Sequence, residues 1–133
     1  MAGIIAQSDS PNKKVFISYS WDNEEHKSWV LNLANILISN GIDVLLDQYE
    51  LRLGRNLTYF METSVEKADK IIVIFTKNYK LRAEGRNGGT GYEYSMINAE
   101  LYQNQVSNNK IIPVLREGDA ENSIPKFIKS YIW

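Results

Sequence analysis

Short apolar runs that end in polar residues, each followed by residues at helical spacing, predict an α/β fold: a flavodoxin-like parallel sheet of four to five strands with helices on both faces. The runs from Lys14 to Ser18, Ile42 to Asp47, Lys70 to Thr76 and Lys110 to Leu115 lack strict alternation, which suits strands covered on two sides. Strand–helix alternation with short connections then gives strand order 2-1-3-4, with a switch point between the first and third strands. A length of 133 residues suits a single domain, one that buries roughly two thirds of its unfolded surface.

Residues 1 to 13 are small and polar after Ile4-Ile5 and read as a flexible lead-in to a domain over 14–133. The first strand gives way abruptly to Ser18, Tyr19, Ser20, Trp21 and Asp22, a polar set that either caps a helix or opens onto a site. From Asn23 to Asn40, Trp29, Val30, Leu33, Ile36 and Leu37 fall on one helical stripe, and Gly41 caps the helix end. His26, one turn before Val30, is expected on the solvated surface.

The second strand ends at Asp47, and Gln48 to Asn56 shows no period of its own, so it is expected to project as a loop. Helical spacing returns at Phe60, Met61, Ser64, Val65 and Ala68, ahead of the most hydrophobic run, Lys70 to Thr76, which is expected at the sheet centre. Lys77 to Gly91 is expected to be a long polar loop. Its glycines between Gly85 and Gly91 match neither GxGxxG nor a P-loop and read as a flap that allows close backbone approach. Tyr92 to Val106 reads as a helix. Pro113 puts the fourth strand near an edge. Gly118 to Ser123 reads as a loop, Ile124 to Ser130 as a short helical turn, and Tyr131 to Trp133 as the start of a fifth strand, with the domain truncated before its last helix.

Composition excludes several functions. With no cysteine and one histidine, thiol nucleophiles, disulfides, Cys-based zinc sites and two-His metal motifs are all ruled out. Fifteen basic against sixteen acidic residues give neither a basic stripe for nucleic acid nor a polybasic membrane patch. No apolar run approaches the roughly 20 residues of a membrane span, so a cytoplasmic protein is expected. A Ser-His-Asp triad would need His26 beside a nucleophile elbow that the sequence lacks. The acidic residue best placed at the switch point is Glu93, at the start of the helix leaving the third strand, ahead of Glu100 roughly 10 Å further on. Glu93 is either catalytic or a first-turn glutamate that complements the helix dipole. A second facing carboxylate would have to be Asp22 or Asp47. Tyr49, Arg52 and Arg55 in the projecting segment are residue types favoured at interfaces.

Five segments in order, Val15 to Asp22, Gly41 to Asp47, Phe60-Met61 with Ser64, Lys70 to Thr76, and Gly88 to Glu93, resemble the TIR superfamily and in particular its SEFIR-like bacterial branch. The resemblance covers Lys14 to about Trp133. It implies either an NAD+ glycohydrolase effector in bacterial anti-phage immunity, activated by self-association, or a non-catalytic protein–protein interaction module. In the enzymatic case the Gly-Tyr-Glu match places the essential carboxylate on Glu93, whereas anchoring on the spacing to Pro113 places it on Glu100. NAD+ is then the substrate and no cofactor is expected. The implied partners are other copies of the domain and a fused sensor domain beyond Trp133, with no direct contact to nucleic acid or membrane. Nicotinamide and its ribose are expected between the first strand's end and Glu93. Tyr19 or Trp21 would stack on a ring, Ser18 or Ser20 would donate to the ligand, and Asp47 would border it. Arg82 and Arg86 would offset the pyrophosphate charge, and the segment from Arg52 to Gly54 corresponds loosely to the BB loop.

Overall fold

The computed structural model describes residues 12–52, 57–85 and 110–125. Within them four parallel strands, β1 (Lys14–Ser18), β2 (Asp43–Leu45), β3 (Lys70–Phe75) and β4 (Ile111–Leu115), form one sheet in the order β2-β1-β3-β4. This is the order expected from the sequence. Helices lie on both faces: α1 (Glu24–Ser39) covers one, while α3 (Leu57–Lys67) and α4 (Lys77–Gly85) cover the other. Two shorter helices, α2 (Asp47–Arg52) and α5 (Ala120–Ser123), follow β2 and β4.

The two central strands explain the sheet. Alternate residues of β1 and β3 feed opposite cores, as the two-residue period of a strand requires. Phe16, Ile71, Val73 and Phe75 pack with Phe60, Val65, Tyr79 and Ala83, whereas Val15, Ile17, Ile72 and Ile74 pack with Val30 and Ala34 of α1. Burying a side chain such as Phe16 stabilises the fold by about 1.5–3 kcal/mol. Pro113 pairs with Val73 from β4, the outer one of the described strands on that side, where a missing N–H is tolerated.

Both ends of α1 follow from local chemistry. The Asn23 side chain accepts the His26 N–H at 2.7 Å, and Gly41 closes the helix at φ +85°, a left-handed conformation suited to glycine. The buried stripe differs from the one expected. His26, Val30 and Ala34 are its fully buried members, at i, i+4 and i+8, while Ile36 is 59% exposed. His26 is therefore a core residue, and its expected surface position is corrected.

Three expected loops contain helix. Residues 48–52 of the segment Gln48 to Asn56 belong to α2, which at six residues spans too few turns to show a period. Residues 77–85 of the polar stretch Lys77 to Gly91 form α4, whose first turn is capped by the Thr76 hydroxyl accepting the Tyr79 N–H at 3.1 Å. Among its described side chains Tyr79 and Ala83 are the buried ones, and Leu81 is 72% exposed amid polar residues, so its sequence shows little apolar periodicity. The stretch Gly118 to Ser123 holds α5, capped by Asp119, while the helical turn expected over Ile124 to Ser130 lies outside the described residues from 126 onward. The expected helix Tyr92 to Val106 and the expected strand Tyr131 to Trp133 lie outside the described residues.

Gly118 has φ +78°, and a Cβ there would sit 2.5 Å from the Ser123 hydroxyl oxygen, which bonds the Glu117 carbonyl at 2.7 Å. Gly41 shares the left-handed φ but has open space around it. Gly118→Ala is expected to lose more stability than Gly41→Ala, which should cost about 1 kcal/mol. Parallel urea melts of both variants provide the check, and equal losses would show that the Ser123 contact yields freely.

Candidate functional site

The carboxyl ends of β1 and β3 meet at the switch point, and the polar residues just beyond them form two linked clusters and a third beside them. In the first, Asp47 at the start of α2 accepts the Tyr19 hydroxyl at 2.6 Å on Oδ1 and the Trp21 indole N–H at 2.9 Å on Oδ2. Gln48 Nε2 donates to the Tyr19 oxygen at 2.9 Å and to the Lys27 carbonyl at 3.1 Å. One carboxylate therefore ties the end of β1 to the start of α2. Burial raises the Asp47 carboxyl above its ordinary range, against the lowering effect of the Tyr19 and Trp21 donors. Burial, then the Asp47 charge, drives the Tyr19 phenol far upward, so it stays a donor.

Trp21 is 39% exposed, with its N–H edge fixed by Asp47 and the Lys27 ammonium 4.2 Å from its ring centroid. Tyr19 is buried to 4%, tilted against His26, and covers the core edge. Of the two aromatic residues expected to stack on a ligand ring, Trp21 is the one with open surface.

The second cluster joins β1 to α4. Ser18 shares a hydrogen bond with the Tyr79 hydroxyl at 3.0 Å, and Ser20 contacts the Thr76 hydroxyl at 3.4 Å. Ser20 also donates to Asp22 Oδ1, which accepts Asn78 Nδ2 at 2.9 Å as well. Both serines are fully buried, so their hydroxyls serve these internal bonds. Burial would raise the Asp22 carboxyl, but Ser20, Asn78 and Thr76 together with the nearby His26 hold it below the ordinary carboxylate range.

A third group lies at the end of β4. Arg116 donates to His26 Nδ1 at 3.2 Å and lies 4.7 Å over the Trp29 ring. With Nδ1 accepting, the neutral imidazole carries its proton on Nε2, which is buried without a partner.

The other expected site residues are spread more widely. Arg82 is exposed on α4, Tyr49 packs against the α1-side core, and Arg52 ends α2. Arg55, Arg86, Glu93 and Glu100 lie outside the described residues. Sequence reasoning missed Lys27, Asn78, Tyr79 and Arg116. Asn78 and Arg116 had a usable signal, since each stands just beyond a strand's carboxyl end. Lys27 and Tyr79 had none, because their roles depend on contacts 6 and 61 residues away in sequence, to Trp21 and Ser18. Among the described residues no group of three or more His, Asp or Glu could hold a metal ion, and no helix is long and apolar enough to cross a membrane.

Comparison with known proteins bears on family and fold. A family model described as TIR domain matches residues 15–133. The chain is 26% identical over 116 residues to the probable 2′ cyclic ADP-D-ribose synthase TcpO of Methanobrevibacter olleyae, covering 85% of this chain and 31% of that protein. It thus spans about a third of that relative's length. Among solved structures it is similar to a prokaryotic SEFIR domain, at 42% identity over 89% of this chain and 83% of that one, with a TM-score of 0.69. It also matches the TIR domains of the activated Roq1 resistosome recognising the pathogen effector XopQ, with a TM-score of 0.58 over 78% of this chain and 57% of that one. At 22% identity that second match concerns the fold alone.

His26 supplies a test of the buried arrangement. Burial is the main cause holding the ring below its ordinary value of 6.5. The Asp22 charge opposes this, Arg116 reinforces it, and Glu117 opposes it. The unfolded chain therefore binds the proton more readily, and stability present at neutral pH falls as pH drops through the unfolded value. His26 is the one histidine, so no other side chain of ordinary pKa titrates there. Urea unfolding is expected to show stability declining between about pH 7 and 5 in wild type and a flatter profile in His26→Gln. Equal slopes would show that the ring is not held neutral.

Proposed function

This chain belongs to the TIR domain family, and from that membership we propose that it is an NAD+ glycohydrolase effector domain that releases nicotinamide when copies self-associate, in bacterial anti-phage immunity. The observation that carries the reading is the constellation at the switch point. There a partly exposed Trp21 is held edge-on by Asp47, beside an ionised Asp22 tied to Asn78. Open α/β sheets bind nucleotides at this position. The relative named as a probable 2′ cyclic ADP-D-ribose synthase supports the choice of chemistry.

The reaction breaks the N-glycosidic bond between ribose and nicotinamide. The leaving group is already cationic in NAD+, so its departure needs no general acid, and the transition state gathers positive charge at the ribose. A carboxylate near that ribose stabilises the charge electrostatically. Glu93 takes this role, with Glu100 the second choice. Trp21 stacks on a ring of the nucleotide, and Arg82 and Arg86 offset the pyrophosphate. Tyr49, Arg52 and Arg55 form the contact to a neighbouring copy, and a fused sensor domain supplies the signal. Water attack on the ribose gives linear ADP-ribose, and attack by a hydroxyl of the same molecule gives a cyclic product.

A second reading, a non-catalytic interaction module, is favoured by two observations. These are the 42% identity to a SEFIR domain and the mutual satisfaction of Tyr19, Trp21 and Asp47 without any ligand. Incubating concentrated or artificially clustered protein with NAD+ separates the two. Free nicotinamide supports the enzyme, and intact NAD+ under clustering supports the module.

Two outcomes follow from the enzymatic reading. Glu93→Gln is expected to abolish nicotinamide release with an unchanged circular dichroism spectrum, while Glu100→Gln does less. The reverse ranking would move the essential carboxylate to Glu100. Activity per molecule is expected to fall on dilution and to be suppressed by Arg52→Glu without unfolding. Constant turnover over a wide dilution series would remove the requirement for self-association.

A further inference from the structure

We propose that Asp22 recognises the ribose hydroxyls of the bound nucleotide through its second carboxylate oxygen, Oδ2; this rests on reading the switch point as a nicotinamide-nucleotide site. The two oxygens of Asp22 have different tasks. Oδ1 accepts from Ser20, just past β1, and from Asn78 Nδ2 at 2.9 Å, just past β3. The carboxylate is thereby pinned across the ends of the two central strands. A tight turn, with the Asp22 N–H donating to the Ser20 carbonyl at 3.0 Å, fixes its backbone. Oδ2 meets no described donor within hydrogen-bond distance, and the Thr76 hydroxyl lies close enough to add to the lowering of the carboxyl. Among the described residues His26 Nε2 is the one buried side-chain polar atom without a partner, so Oδ2 is not sealed from solvent without a donor.

An ionised carboxylate only accepts hydrogen bonds. It therefore selects groups that bring O–H or N–H donors and repels phosphate. A ribose cis-diol offers two adjacent O–H donors, and nucleotide folds use an acidic residue for this purpose. The hydrogen bonds to Oδ1 also keep Asp22 ionised. Asp47 is the other carboxylate at this end of the sheet beside a central strand, but both its oxygens are occupied, by Tyr19 and by Trp21. Asp43 and Asp69 sit at the opposite end, level with the start of β1. Glu117 is exposed at the end of β4 and accepts the Lys77 N–H at 3.3 Å. Asp22 alone among these combines a fixed carboxylate with an oxygen that no described donor reaches within hydrogen-bond distance. Its negative charge beside the ribose also favours the positive charge that develops when nicotinamide leaves.

Asp22→Asn separates this role from a structural one. The asparagine oxygen can still accept from Ser20 and Asn78, so the tie between β1 and α4 survives. At the Oδ2 position an N–H₂ replaces the acceptor, and the ribose hydroxyls lose their partner. Binding is read with carba-NAD, whose carbocycle cannot release nicotinamide, and with its analogue lacking the two hydroxyls on the nicotinamide side. Both are titrated calorimetrically into concentrated protein. Wild type is expected to prefer the diol by about 10- to 100-fold. Asp22→Asn should lose most of that preference, bind the dideoxy analogue as wild type does, and melt within about 2 °C of wild type. Wild type that binds both ligands equally overturns the proposal whatever the variant does, which covers an Asp22→Asn protein that fails to fold. A variant that keeps the diol preference also overturns it. Either result leaves the NAD+ reading standing, whereas wild type that binds neither ligand removes that reading and this inference with it.

Discussion

The double-sided burial of β1 and β3 sets the terms for everything at their carboxyl ends. Alternate side chains of each strand enter opposite cores, so neither strand can turn a polar residue to water until the sheet stops. When it does stop, Ser18, Tyr19 and Ser20 are still buried, and each must find an internal partner or lose the full cost of desolvation. Ser18 finds Tyr79, Tyr19 finds Asp47, and Ser20 finds Asp22 and Thr76. Those bonds reach α2 on one side and α4 on the other. The geometry of the site is thus a consequence of how thoroughly the central strands are covered.

That dependence explains which features were legible in the sequence. Strand order and the switch point followed from apolar runs and their polar punctuation, because burial on two faces leaves a compositional mark. The long helix α1 followed from its stripe and from Gly41. Two short helices did not, for different reasons. Six residues of α2 complete fewer than two turns, and among the described side chains of α4 Tyr79 and Ala83 are the buried ones while its apolar Leu81 faces water. His26 shows a different failure. It shares the buried stripe with Val30 and Ala34, so periodicity pointed inward, but its polarity suggested water. Arg116 and Trp29, which make that burial tolerable, are 90 and 3 residues away in sequence. Local reading therefore located the site along the chain but did not pair its members, because nearly every bond in it joins distant segments.

Asp22 and Asp47 show what those pairings decide. Both are aspartates beyond a strand's carboxyl end and both are partly buried, and of the two the sequence reading set Asp47 beside the ligand. Burial raises both carboxyls, yet the net shifts have opposite signs. The difference lies in the balance of partners. Around Asp22, hydrogen bonds from Ser20, Asn78 and Thr76 and the nearby His26 outweigh a modest burial. Around Asp47, deeper burial outweighs the Tyr19 and Trp21 donors. Asp47 has spent both oxygens holding an aromatic platform in place, so its work is to orient Trp21. Asp22 holds its Ser20 and Asn78 bonds on one oxygen, and at neutral pH it keeps its charge and a second oxygen that no described donor reaches within hydrogen-bond distance. An anionic, fixed and half-satisfied group at a switch point is suited to a ligand that brings hydroxyls and develops positive charge. The fold thus divides the labour between two like residues, and the division follows from which neighbouring helix supplies the donors.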